Sequence, residues 1–446
     1  MPNGTALVID FIQNTTWNDL PADVQHQARR CLLDLLGSLI AGTMTPVGQL
    51  MAGFASDQWA GGPATIAANG QRVSPVGAAM ANGFAINALD IDDGYRPIKG
   101  HPGACILPPL LAAAETVGTV SGKEFLTALV IGYEVGIRAG LIRHATYSTY
   151  HSSGSWGAIA GAAVAGRLLG LEPAALRQAL GTAEYHAPIA PMMKGIETPC
   201  MGKDSIGWGC MVAMASTLMA QRGFTGIEPL FSDSPNIDWI TSLGKRYEML
   251  NLYFKPFACC RWAQPAIAGA SYLASQYHLT ADDITTIRVH SFSSAKALSR
   301  VHPQNTEEAQ YNLCYSVAAA LIDGELGPRQ VLPPRIFDQA TLALADRVEI
   351  IVKPDYDAEF PAKAYSDVEI VTRAGQTLRS GRMEAPWQPP DSSPADEELE
   401  RKFRWLVEPV LGRRRVKQII KKVWRCDEID NAESLIRDCI VPAQPH

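Results

Sequence analysis

The chain has 446 residues, 47% of them hydrophobic and 19% charged, with a formal net charge of −6. That length suggests two or three domains with ample core, and so mild an acidic balance excludes a dedicated nucleic-acid binder. Nine cysteines are scattered without a Cys-x-x-Cys pair, and the adjacent Cys259 and Cys260 lack zinc-ligand spacing, so the thiols read as reduced and intracellular.

The opening MPNGTALVIDFIQ has no basic segment and no long apolar run, so it does not read as a signal peptide. The longest uncharged runs, such as 205–221, are broken by Gly, Ser and Trp and are too short to span a bilayer. These features predict a soluble, cytoplasmic protein with no membrane partner.

Residues 21–41 predict a helix, with Val24, Ala28, Cys31, Leu32, Leu35, Leu36, Leu39 and Ile40 on one stripe and Asp34 as a paired carboxylate within it. A second apolar segment covers 46–59, and 65–73 suggests a short strand with a turn at Asn69-Gly70. A small-residue helix follows over 75–88. Asp90, Asp92 and Asp93 then crowd the end of that helix, where carboxylates are disfavoured by ~0.3–1 kcal/mol each. Gly94, Pro97, Gly100 and Pro102 keep the next stretch irregular and flank His101. A carboxylate cluster followed by a constrained histidine suits an acid/base pair in which Asp90 orients His101.

Residues 106–117 read as helix with Pro108 and Pro109 at its start, and Ser121-Gly-Lys-Glu124 reads as a capping box opening a helix to about residue 141. The polar loop 147–155 holds His151 just before a Gly/Ala-rich helix, where the positive helix end favours neutral imidazole and bound anions. Pro173 opens a further helix, 192–202 is irregular, and Lys203 precedes a helix ending near residue 222, a position suited to anion binding. The stretch 228–241 reads as a polar loop. Arg261, amid apolar neighbours, is placed to clamp a carboxylate.

Beyond residue 278 the character changes. Strand patterns appear at 285–292, 347–352, 367–372 and 377–383, the last two joined at Ala374-Gly375, with a helix over 309–322. A Pro-rich linker at 389–394 leads to helices whose Val416, Ile419, Ile420 and Val423 form an apolar face amid exposed basic residues. The predicted fold is mainly α with an α+β second domain: a helical domain (1–270), a mixed lid domain (271–392) and a returning helical segment (393–446). The cleft between them is the expected ligand site.

The stretches LLDLLGSLIAG, ALDIDDGYRPIKGHPG, YHSSGSWGAIAGAAVAGRLLGL, MGKDSIGWG, KPFACCRW and AQYNLCYSVAAALIDG together resemble the MmgE/PrpD family over nearly the whole length. That family includes 2-methylcitrate dehydratases, cis-aconitate decarboxylases and an iminodisuccinate epimerase. The resemblance implies a homodimer, an inter-domain active site without cofactor or obligatory metal, and a small di- or tricarboxylate substrate. It selects Asp90, His101, His151, Lys203 and Tyr315 as catalytic; the expected substrate-binding residues are Lys203, Arg261, Cys260 and Gln264.

Many members carry histidine in or just after the stretch matching 257–264, where this chain has Cys259, Cys260 and Gln264, and the loop between Asp90 and His101 is one residue longer than in the decarboxylases. Both departures point away from decarboxylation. The expected activity is a hydro-lyase of 2-methylcitrate dehydratase type, with His151 or His101 as base, Lys203 and Arg261 on carboxylates and Tyr315 as acid. Epimerisation, decarboxylation and a silent ligand-binding homologue are the alternatives.

Overall fold

The computed structural model describes residues 3–232, 237–298 and 302–442. Its architecture is mainly helical with one small mixed sheet. Helix starts follow local chemistry. Thr45 and Ser74 cap helices Pro46–Gln58 and Pro75–Asn87, each opening on proline. Ser121 caps Gly122–Thr146 through the Glu124 amide (3.2 Å). The expected reciprocal half of that box is absent, because Glu124 pairs with Arg167 (2.7 Å) on helix Gly154–Leu168.

Helices Ala22–Gly42, Pro75–Asn87, Pro102–Val117, Gly122–Thr146, Gly154–Leu168 and Ile206–Ala220 make the helical body. Small residues let them approach: a Cβ on Gly157 would strike Cys105, and one on Gly161 would strike Ala213. Each fully buried Leu or Ile on these stripes contributes ~1.5–3 kcal/mol. Helix Gly122–Thr146 is 25 residues long and apolar enough to cross a membrane by length and composition, contrary to the reading of uncharged runs. It is instead a core element, 94% buried over its most apolar window. Its charges Glu134 and Arg138 pair one turn apart at 2.5 Å.

The sheet has the order Val348–Val352, Ile284–Ser291, Ser366–Thr372, Thr377–Met383, the first pair parallel and the others antiparallel. Helix Gln264–Tyr277 packs on its last two strands, so a boundary at 270 falls inside a helix that serves the sheet. The C-terminal helix Asp396–Trp424 returns onto Ala22–Gly42. There Lys402 meets Asp34 at 2.5 Å, the partner expected for that carboxylate, which is fully buried.

Several elements differ from the sequence expectation. The single strand of 65–73 is a hairpin, Ala60–Thr65 against Arg72–Val73. The helix expected at 106 begins at Pro102, so Pro108 and Pro109 lie inside it. Residues Met192–Glu197 are helical rather than irregular. The polar stretch 228–241 holds two short helical turns, Leu230–Ser232 and Ile237–Thr241, and residues 233–236 lie outside the described residues. The helix expected over 309–322 is two, Thr306–Gln310 and Leu313–Asp323, because Asn312 caps the second by accepting from the Tyr315 amide (2.8 Å).

Candidate active site

The Asp-rich stretch is held from three sides. Its Gly94 exchanges backbone hydrogen bonds with Tyr253 (3.0 and 2.9 Å). Tyr95 donates to Glu248 (2.6 Å), whose amide donates to Glu134 on the core helix (3.1 Å). Lys402 donates to the Ile91 carbonyl (2.7 Å). Asp90 takes a left-handed conformation (φ 50°), which Asp tolerates better than bulkier residues. Asp93 accepts from the Gly103 amide (3.1 Å) and so caps helix Pro102–Val117 directly after His101.

His101 is buried between carboxylates. Its Nδ1 lies 3.0 Å from Asp92 Oδ2 and 3.0 Å from the Asp93 carbonyl; the N–H is aligned on the carbonyl, and Asp92 acts as counter-charge. Its Nε2 lies 3.3 Å from Asp90 Oδ1. Burial disfavours the imidazolium, but the charge and proximity of Asp92 outweigh it and raise the pKa to about 9. His101 is therefore a proton donor at neutral pH. The Asp93 carbonyl holds Nδ1 with Asp92 beside it as counter-charge, while Asp90, expected to orient the ring, faces Nε2.

Asp90 also binds Lys255 Nζ at 2.8 Å, and both side chains are buried. Burial alone would raise the Asp90 pKa; the cations Lys255, Lys203 and His101 bring it down to about 2. Asp93 goes the other way, up to about 7, through burial and the neighbouring Asp34 and Asp92. Asp204 completes the group, accepting from Tyr311 Oη (3.1 Å) and Ser153 Oγ (3.3 Å). Among the described residues no lysine or arginine lies within ion-pair distance of Asp204.

Asp90, His101 and Asp204 offer ligand atoms within 4.8 Å of one another. Lys255 already occupies Asp90 Oδ1 at 2.8 Å. The cluster is charge-compensated as it stands.

These groups open on a cavity of about 380 Å³ between the helical body and the sheet unit. Arg261 lies on its wall over the Tyr253 ring (4.2 Å), with Nε buried and unpartnered. No carboxylate lies within ion-pair distance of Arg261 among the described residues. Burial lowers its pKa to about 10, so it remains cationic. Lys99 and Arg96 line the same cavity.

The expected residues separate into two sets. Asp90, His101, Cys260 and Arg261 line the cavity. Burial pushes the Cys260 thiol up to about 12, so it is a neutral wall group. The others do not line it. Gln264 is buried and its Oε1 accepts from Arg261 (2.8 Å), so it steadies the guanidinium. Lys203 donates to the Asn87 carbonyl (2.6 Å) and Gln310 (2.8 Å), behind Asp90. His151 stacks on His144 (4.2 Å) with Nδ1 2.6 Å from Ser155 Oγ; its neighbour Tyr150 forms the wall instead. Burial lowers its pKa, which keeps it neutral.

Tyr315 is the clearest correction. Its hydroxyl donates to the Gln330 carbonyl (2.6 Å) away from the cavity, whereas Tyr311, at the break between two helices, faces it. Tyr315→Phe is expected to cost about 1 kcal/mol of stability with kcat nearly unchanged, and Tyr311→Phe to lower kcat. Steady-state kinetics beside denaturant unfolding reads both, and the reverse pattern would restore Tyr315 to the site.

Sequence models of the MmgE/PrpD N-terminal and C-terminal domains match residues 8–248 and 257–426. The chain belongs to the MmgE/PrpD family. Among similar MmgE/PrpD relatives, the cis-aconitate decarboxylase-like protein oryM of Aspergillus oryzae is 25% identical, over 94% of this chain and 94% of its own length. A cis-aconitate decarboxylase of Aspergillus terreus is 24% identical over 97% and 95%, and that of Mus musculus 25% identical over 94% and 90%.

Proposed function

We propose that this MmgE/PrpD protein is a lyase acting at the carbon α to a carboxylate of a small di- or tricarboxylic acid, and specifically a hydro-lyase. One observation carries this: His101, flanked by Asp92 and Asp90, and the carboxylate of Asp204, which pairs with no lysine or arginine among the described residues, face one cavity within 4.8 Å. Dehydration needs both an acid and a base. Arg261 and Lys99 hold substrate carboxylates and stabilise charge as it develops. Asp204 takes the α proton, and His101 Nε2 gives its proton to the departing hydroxyl. A C–H and a C–O bond break, a C=C bond forms and water leaves. Tyr311, hydrogen-bonded to Asp204, fixes that carboxylate.

Decarboxylation is the second reading. It requires only an acid to protonate carbon after CO₂ departs, a task that suits His101, and the relatives named above carry that activity in their names. Following 2-methylcitrate, citrate, cis-aconitate and iminodisuccinate by NMR, with and without EDTA, tests the proposal. Loss of water from a hydroxy acid, unaffected by EDTA, is expected. Conversion of cis-aconitate alone would favour the second reading, inversion of iminodisuccinate would make the enzyme an epimerase, and no turnover would leave a binding protein.

We also propose a homodimer. Leu50, Phe54, Met201 and Trp208 are exposed on one region built by helices Pro46–Gln58 and Ile206–Ala220 and the preceding turn. Beneath it Val47, Met51, Met80, Phe84 and Ala88 form a separate apolar cluster. Exposed apolar patches of this kind mark interfaces. Sedimentation should give twice the chain mass and Trp208→Glu should halve it; a monomeric parent would refute the assignment.

A further inference from the structure

The proposed chemistry uses only one side of the cavity. The acid–base cluster of His101, Asp90 and Asp204, with the cations Arg261, Lys99 and Arg96, stands on its polar side. Much of the remaining wall is apolar. Met192, Met193 and Ile196 come from the short helix Met192–Glu197 of the helical body. That helix packs on the turn Ser293–Leu298 of the sheet unit, directly after Phe292. Phe292 stacks on Phe360 (4.3 Å), and Trp262 meets both rings edge-on at 5.9 and 5.6 Å. Trp262 and Phe360 face the cavity. The methionines from the helical body and the rings of Trp262 and Phe360 thus line the same cavity and make up its apolar lobe.

No lobe of this kind is needed to hold a compact polyacid. A volume of about 380 Å³ falls within the ~300–1,000 Å³ range that buries a drug-sized ligand. An acid of citrate size, pinned by carboxylates on Arg261 and Lys99, leaves the Met/Trp/Phe lobe without a partner. Flexible methionines beside flat aromatic rings suit alkyl chains of variable length.

We propose that the substrate carries an apolar substituent, an alkyl chain longer than methyl, on its carboxylate-bearing skeleton, and that this chain occupies the lobe made by Met192, Met193, Ile196, Trp262 and Phe360. The inference rests on the carboxylate-lyase reading for the polar end alone, and the test separates the two.

Calorimetric titration of the full-length enzyme with succinate and 2-alkylsuccinates, from methyl to hexyl, measures the lobe without any turnover. Each added methylene that reaches it should tighten Kd about threefold to fourfold, until the lobe is full. Met193→Trp, which fills the lobe, should flatten that series relative to the parent, with circular dichroism confirming the fold. In parallel, citrate and its 2-alkyl analogues are assayed for turnover. A rising series in both binding and kcat/KM supports the proposal and the lyase reading together. A rising binding series without turnover of any acid keeps the lobe and removes the lyase reading. A series that is flat or weakens beyond methyl, or an unaltered slope in Met193→Trp, overturns the proposal, whatever the enzyme does with citrate.

Discussion

Replacing His101 with asparagine is expected to lower kcat/KM by ~10²–10⁴-fold, the usual cost of losing a general acid. Asparagine keeps a donor near Asp92 but cannot give up a proton. The parent should also lose activity as pH rises through about 9, where the imidazolium held by Asp92 and Asp90 deprotonates. The residual activity of His101→Asn should lack that alkaline limb. Stability follows the same sign. A raised histidine pKa contributes fully below the unfolded value of ~6.5, and the contribution fades as pH climbs to about 9. Initial rates from pH 6 upward, with denaturant unfolding at the same pH values, measure both. A variant with parental kcat/KM, or an alkaline limb that survives the substitution, removes His101 from the chemistry.

Lys255→Met should have the largest effect on stability. Lys255 is fully buried and its ammonium lies 2.8 Å from the buried Asp90. Removing one partner of a buried pair leaves an uncompensated charge, at a cost of ~3–5 kcal/mol. In the variant Asp90 is left with Lys203 and His101 as its nearby cations, so its pKa should rise and the Asp90–Gly94 turn should loosen. The double variant Lys255→Met with Asp90→Asn should recover part of the lost stability, because no carboxylate then remains to be neutralised. Urea titrations of both variants decide this. Equal losses in the single and double variants would show that Lys255 acts by packing rather than by charge.

Much of the architecture was legible because its signals are local. Ser74-Pro75, Ser121 and Pro173 mark helix starts through capping and proline chemistry that operates within a few residues. The hairpin around Ala374-Gly375 is fixed in the same way. Asp90 and His101 stood out because three carboxylates at a helix end need a reason, and Arg261 because it sits in an apolar run.

Long-range partners were harder to see. Lys255 is the counter-charge that the aspartates demand, 165 positions away, and no local pattern connects the two. Asp204 lay beside the selected Lys203 within one stretch, and only the left-handed turns at Lys203 and Ser205 decide which of the neighbours faces the cavity. Tyr311 and Tyr315 are one helical turn apart on a pattern that reads as a single helix. The Asn312 cap breaks it and sends Tyr311 to the cavity and Tyr315 to Gln330.

Proton movement at carbon is the step on which the proposed chemistry depends, and deuterium reports it directly. The enzyme is incubated in D₂O with the acid that turns over, and substrate and product are followed by NMR beside His101→Asn and Asp204→Asn. Dehydration by Asp204 and His101 predicts C–H cleavage at the carbon α to a carboxylate and, in the reverse direction, deuterium placed at that carbon. Both should slow by ~10²–10⁴-fold in each folded variant. Turnover without C–H cleavage, or parental exchange in both variants, would contradict the assignment.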